Sequence, residues 1–226
     1  MDPVLEGAPS AGGLAEAARL HWREDASERS LRRDGRVWTL WTTWIVLVFV
    51  APGALLLAIE PLTFPVAAIC FGHAWFVPWI QARRGARQVV PLGSERSAAG
   101  RGGADRRAEG VALGLLGDLV GHAERDLLRE TGLALQRGAL GVWLVGERGA
   151  FLVRSRGRRV DCWCVRVAEA ADLPAGDRVA HLLLALREDE LGFAKVANLG
   201  FSGARRRVAR HLPQRSRRAL AVAARS

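Results

Sequence analysis

Two consecutive stretches of this chain carry no formal charge: residues 37–59, between Arg36 and Glu60, and residues 61–82, between Glu60 and Arg83. Each can cross a hydrocarbon core, which takes about 20 apolar residues at ~1.5 Å rise each. The reading that follows is a two-helix transmembrane hairpin over 37–80 with a tight turn at Glu60-Pro61. Backbone polar groups inside a bilayer must be satisfied within their own helix, which excludes a β reading of these runs. Pro52 and Pro65 are expected to kink the spans. Two other readings compete: a re-entrant first segment broken at Pro52-Gly53, and an all-round apolar hairpin buried in a soluble core. Two such runs in succession argue against the second.

The flanks orient the hairpin. Arg32, Arg33 and Arg36 precede the first run, and Arg83, Arg84 and Arg87 follow the second, whereas the turn carries Glu60 and no base. Retention of arginine on the cytoplasmic side places both termini in the cytoplasm and the chain in the inner membrane. Trp38, Trp41, Trp44, Trp75 and Trp79 all fall toward that same side, where indole rings suit the headgroup boundary.

Within the spans, Ala68 and Gly72 have the small-xxx-small spacing that lets a second helix approach closely. The first helix of the same chain is the expected partner, with a dimer face as the other use. His73 is the one ionisable side chain deep in either span, a functional candidate by default. Its structural alternative is a neutral imidazole bonded to Thr42, Thr43 or a carbonyl. Cys70, one turn earlier, reads as a packing residue.

The formal charge is +10, and all but one of the 33 bases are arginine, Lys195 being the exception. That bias fits a GC-rich genome, which weakens any argument from arginine number alone. The charge itself suits apposition to an anionic leaflet. Three cysteines, one of them in a span, form no disulfide framework. No cleavable leader is expected, because the first apolar run begins late, behind a charged segment, so the first span reads as an uncleaved anchor.

In chain order, residues 1–36 read as a cytoplasmic N-terminal segment, partly disordered, with an amphipathic stretch near Leu14–Leu31. Residues 81–107 read as a basic flexible linker, richest in Gly, Ser and Arg over 92–107. Residues 108–226 form a cytoplasmic α+β domain. Leu115, Leu116, Leu119, Val120, Ala123 and Leu127 make a helical stripe, and Gly132 stops it. Short apolar runs over 133–136, 140–145, 150–154 and 160–167, separated by glycine-bearing turns, predict a three- or four-stranded antiparallel meander. Asp177 caps a helix to about Arg187, a second helical run covers Leu191–Leu199, and a last helix runs from Gly203 to about Leu212, where Pro213 ends it ahead of a short tail. The helices are expected to cover one face of the sheet.

Candidate chemistry is sparse. Cys162 and Cys164 alternate onto one strand face, but structural zinc needs four ligands in recognisable pairs. His122 or His181 would have to complete a site; otherwise the thiols are core residues. His181 also heads a polar cluster of Asp177, Arg178, Glu188, Asp189 and Glu190, where a general base or a cation site competes with an ordinary solvated helix end. Phosphate-loop, HExxH and GxSxG patterns do not occur. The reading therefore leans away from an enzyme, with no metal and no cofactor.

The basic C-terminal segment is the strongest signal. Arg205, Arg206, Arg207, Arg210, Arg215, Arg217, Arg218 and Arg225 follow Gly203 without one acid. On a tethered chain the nearest polyanion is the inner leaflet, where each base is worth on the order of 1 kcal/mol. Nucleic acid is the disfavoured competitor, since stacking aromatics are missing from the segment.

The runs GHAWFVPWIQARRGA (72–86) and DRVAHLLLALREDELGFAKVANLGFSGA (177–204) resemble uncharacterised two-span integral membrane proteins of arginine-rich actinobacteria. The resemblance implies no assigned chemistry and transfers no functional residues. The expectation is an α-helical transmembrane hairpin with a C-terminal α+β domain, acting as a non-enzymatic module. It would dock on anionic lipid headgroups and bind a membrane protein partner or itself as a homo-oligomer. The alternatives are a thiol- or metal-dependent enzyme or sensor using Cys162 and Cys164, and a membrane tether for nucleic acid.

Overall fold

A computed structural model describes residues 27–95, 106–154, 157–165 and 173–226. Helix α1 (Glu28–Ile59) begins well before the uncharged run. Ser27 and Ser30 form a reciprocal capping box that satisfies its first amides, and Glu28 pairs with Arg32 one turn on. The charged segment before Val37 is thus helical from Glu28, while most of the amphipathic stretch foreseen at 14–31 lies outside the described residues. A single 3₁₀ turn (Pro61–Thr63), capped by the Glu60 carboxylate through the Leu62 N–H, leads into α2 (Phe64–Gln88). Both helices are long and apolar enough to cross a membrane. At ~1.5 Å per residue they reach about 48 and 38 Å, longer than a ~30 Å hydrocarbon core. Both are open toward the turn, with Leu55 at 61% and Ile69 at 60% exposure, so no other described part of the chain buries them there. Pro52 lies inside α1, but Pro65 sits in the first turn of α2, where its missing N–H breaks no bond; the interior proline of α2 is Pro78.

The seam between α1 and α2 uses Gly53, whose missing side chain admits Cys70 and Phe71 at 3.1–3.2 Å from its Cβ position, together with buried Ala67, Ala74 and Pro78. Ala68 and Gly72 do not serve it. Both are exposed, and a Cβ on Gly72 would meet nothing within 4 Å. The phase of α2 explains the correction: Ala67, Ala74 and Pro78 occupy the inward stripe, and Ala68 is rotated out of it by about 100°.

Then α3 (Arg106–Leu119) and α4 (His122–Thr131) replace the one helix expected, broken at Gly121. Leu116, Val120 and Leu127 of the foreseen stripe are buried, whereas Leu115 is 61% exposed. Gly132 caps α4 in the left-handed conformation, as its position suggested. Strands β1 (Ala134–Arg137), β2 (Gly141–Gly146), β3 (Gly149–Arg154) and β4 (Arg159–Cys164) form the antiparallel meander. Helices α5 (Ala175–Glu188) and α6 (Glu190–Val196) follow. The chain then returns as β5 (Asn198–Ala204) beside β4, giving a five-stranded sheet in the order β1-β2-β3-β4-β5. The fifth strand takes residues read as the end of one helix and the start of another. Short α7 (Arg205–Ala209) and α8 (Gln214–Ala223) close the chain.

Both sheet faces are covered, so the expected two layers are three. Alternation along β2 sends Trp143 and Val145 to one side and Val142 and Leu144 to the other. The first side packs with Val179, Leu183 and Phe193 of α5 and α6; Trp143 meets Phe193 edge to face at 5.5 Å. The second side carries Phe151, Val160, Cys162 and Phe201, and is covered by Ala82 and Ala86 of α2, Val208 of α7, and Ala219 and Leu220 of α8. The sheet therefore sits directly on one end of the apolar hairpin. Residues 81–88 of the expected linker belong to α2, and Val89 and Val90 are buried, with the Val90 carbonyl accepting the Glu147 N–H at 2.8 Å. Residues 96–105 lie outside the described residues.

Candidate anionic-lipid interface

The join between sheet and hairpin is polar at one side and apolar at the other. On the apolar side, Gly85 of α2 lies against Phe201 of β5, with Cys162 Sγ 3.4 Å from where a Cβ would stand. Trp38 of α1 packs on the same phenyl ring at 6.2 Å between centroids. On the polar side sits Asp161, 1% exposed. It accepts from Arg154 Nε at 2.6 Å and from the Ser202 hydroxyl, and lies 3.8 Å from Arg159 Nε. Arg159 in turn donates to Ser202 Oγ, to Thr39 Oγ1 and to the Gly35 carbonyl of α1. Arg154 reaches the Leu31 carbonyl at 3.4 Å. One buried carboxylate thus orients two guanidinium groups onto the backbone of α1, and these bonds anchor the segment that precedes the apolar run.

Among the described residues, a cavity lies beside each helix at this join. The cavity beside α1, about 460 Å³, is lined by Thr39, Thr43 and Leu47 on the helix and by Arg158, Arg159 and Arg207 from the β3–β4 loop, β4 and α7. The cavity beside α2, about 480 Å³, lies between Ala86 and Val89 and the segment holding Arg210, His211 and Arg215. His211 meets Trp79 edge-on at 5.3 Å. Partial burial, followed by the Arg83, Arg87 and Arg210 charges, pushes its pKa below the ordinary histidine value. Arg83 lies over the Trp79 ring at 5.1 Å.

The basic C-terminal run is folded, and its arginines divide by what they touch. Arg205 donates to the Leu220 carbonyl, Arg215 to Gly93 at 2.6 Å, Arg217 to Leu212 at 3.1 Å, and Arg218 pairs with Glu130. These four stitch α7 and α8 to the rest. Arg206, Arg207 and Arg210 make no side-chain hydrogen bond or ion pair with any described residue, and the same holds for Arg158, which the sequence reading had not singled out. Its signal was available only as one base in a short loop.

The other candidates are placed apart. Cys162 is fully buried on the hairpin side of the sheet; burial, then the neighbouring Asp161 charge, pushes its thiol well up. Cys164 is half-buried at the strand end, and His181 is exposed on α5, which covers the opposite face. No group of three metal-ligating side chains occurs among the described residues. Two of the acids near His181, Asp189 and Glu190, have structural work. Asp189 caps α6 through the Gly192 N–H, and Glu190 accepts from Ala139, Leu140 and the Trp143 indole. Arg178 is buried with Glu147 at 2.7 Å. His73 bonds the Ile69 carbonyl at 2.9 Å and stacks on Phe49. Compared with known proteins, the chain matches no family model, no curated protein and no solved structure.

Proposed function

We propose that this chain is a membrane-anchored, non-enzymatic module whose α+β domain rests on the anionic inner leaflet, with both termini in the cytoplasm. The observation that carries the reading is the seat of the sheet on the hairpin base. It puts the arginine flanks, Trp41, Trp44, Trp75 and the arginines unpaired among the described residues, Arg206, Arg207 and Arg210, at one end of the two apolar helices. The excess length of α1 and α2 over a hydrocarbon core serves as the platform that the sheet grips. Two features support partner binding or self-association. Val111 and Leu115 leave α3 largely exposed, and Ala68 and Gly72 face outward.

The test uses the full chain in nanodiscs of phosphatidylcholine, with or without phosphatidylglycerol. Amide exchange across Arg205–Ala209 is expected to slow in the anionic discs, and the slowing to fade at high salt. Equal exchange in both lipids would remove leaflet docking. Recovery of the chain in the aqueous fraction without detergent would remove the anchor.

A further inference from the structure

The cavity beside α1 combines features that a diffuse basic surface does not have. Three arginines and no carboxylate line it. Arg159 is fixed in place by Ser202, Thr39 and the Gly35 carbonyl. Arg158 and Arg207 approach from two different elements, both exposed and both without a partner among the described residues. The threonine hydroxyls do not compete as donors. Thr39 donates to the Gly35 carbonyl at 3.1 Å and Thr43 to the Thr39 carbonyl at 2.9 Å, so an anion there draws its hydrogen bonds from guanidinium groups. The same cavity continues onto Val46 and Leu47 of the apolar run. From Thr39 to Leu47 the helix rises about 12 Å. That is the depth over which a glycerophospholipid passes from phosphate to upper acyl chain. Trp41 and Trp44, both about 60% exposed, mark the same level.

We infer that this cavity is a binding site for one anionic glycerophospholipid, its phosphate held between Arg158 and Arg207 and its acyl chain laid against Val46 and Leu47. The site rests on the leaflet-docking reading and narrows it from a charged surface to a defined lipid position. A free phosphate shares the headgroup chemistry but lacks the chain, and the apolar floor selects the lipid.

The experiment uses the full chain in nanodiscs of mixed phosphatidylcholine and phosphatidylglycerol, with retained lipid counted by native mass spectrometry. The double variant Arg158→Gln, Arg207→Gln is compared with Arg129→Gln, Arg148→Gln, an equal charge loss at exposed positions away from the cavity. One tightly retained phosphatidylglycerol is expected in wild type and in the control pair. Retention in the cavity variant should be about twenty-five-fold weaker, since each arginine near an anionic surface is worth roughly fivefold. Thermal midpoints in detergent should be unchanged, because neither side chain has a partner to lose among the described residues. Equal lipid loss in both double variants would overturn the site while leaving general docking intact, as would equal retention of phosphatidylcholine. Displacement of the lipid by millimolar glycerol phosphate would assign the cavity to a soluble anion instead. Wild-type exchange and retention indifferent to phosphatidylglycerol would remove both the site and the docking reading.

Discussion

Gly85 and Phe201 touch across the base of the hairpin: the phenyl Cγ lies 3.0 Å from the position that a Cβ on Gly85 would occupy, and the Phe201 Cβ lies closer still. This contact joins an apolar helix to a sheet edge strand, and it works only because residue 85 has no side chain.

Gly85→Leu is therefore expected to open the join. Overpacking a fitted site costs about 1–3 kcal/mol, and here it also lifts the sheet from α2. The thermal midpoint of the full chain in detergent should fall, with faster amide exchange in β5. Gly72→Ala provides the contrast, since that position faces open space; its midpoint should hold or rise slightly. A Gly85→Leu chain as stable as wild type would show that the seam carries little.

Among the described residues, Asp161 is the one carboxylate that pairs with Arg154 and Arg159 at the polar side of the join. Asp161→Asn leaves two partly buried guanidinium groups without a countercharge. Breaking a buried pair from one side costs about 3–5 kcal/mol, and the lower figure fits here because Arg159 is one-third exposed. Ser202→Ala should cost less, about 2 kcal/mol, by removing a hydroxyl that donates to Asp161 and accepts from Arg159. Denaturant midpoints of the two variants in detergent check the order; equal effects would contradict it.

The depressed pKa of His211 makes stability depend on pH in a defined direction. Between the ordinary histidine value of 6.5 and the lower value in the fold, the unfolded chain holds a proton that the folded chain does not. Stability should thus be full above that window and fall as pH drops through it. Replacing His211 with Gln should flatten the slope of denaturant midpoint against pH between about 7.5 and 5.5. An unchanged slope would mean that other groups dominate acid sensitivity.

Cys162 should resist thiol reagents in the native chain, being fully buried with its thiol pKa raised, while half-buried Cys164 should react first. Maleimide labelling followed by peptide mass mapping separates the two. Rapid native labelling of Cys162 would reopen the thiol reading that its burial disfavours.

The residues that misled the sequence reading share one cause. Residues 81–88 contain Arg83, Arg84 and Arg87, and so look like the start of a linker. Ala82, Gly85 and Ala86 nevertheless form a small-residue stripe on the same helix, and small residues give almost no hydropathy signal. The terminal Ala/Arg run hides α8 for the same reason, two of its four buried positions being alanine and a third serine. Strand β5, with the sequence NLGFSGA, shows two large apolar residues, Leu199 and Phe201, among small and polar ones, and becomes a strand through its pairing with β4 across an intervening pair of helices. Pairing at that separation has no local sign.

By itself the sequence determined the two uncharged runs, their basic flanks and a meander of three or four strands, because length, charge and two-residue alternation are local properties that survive without a fold. The tertiary structure decided that the sheet has a fifth strand and helices on both faces, that it sits on the hairpin base without an intervening spacer at α2, and which arginines are bound and which are open. Those outcomes depend on contacts between residues far apart in the chain. The pairing of Arg159 with Gly35, or of Gly85 with Phe201, exists only once burial of the shared core has brought them together.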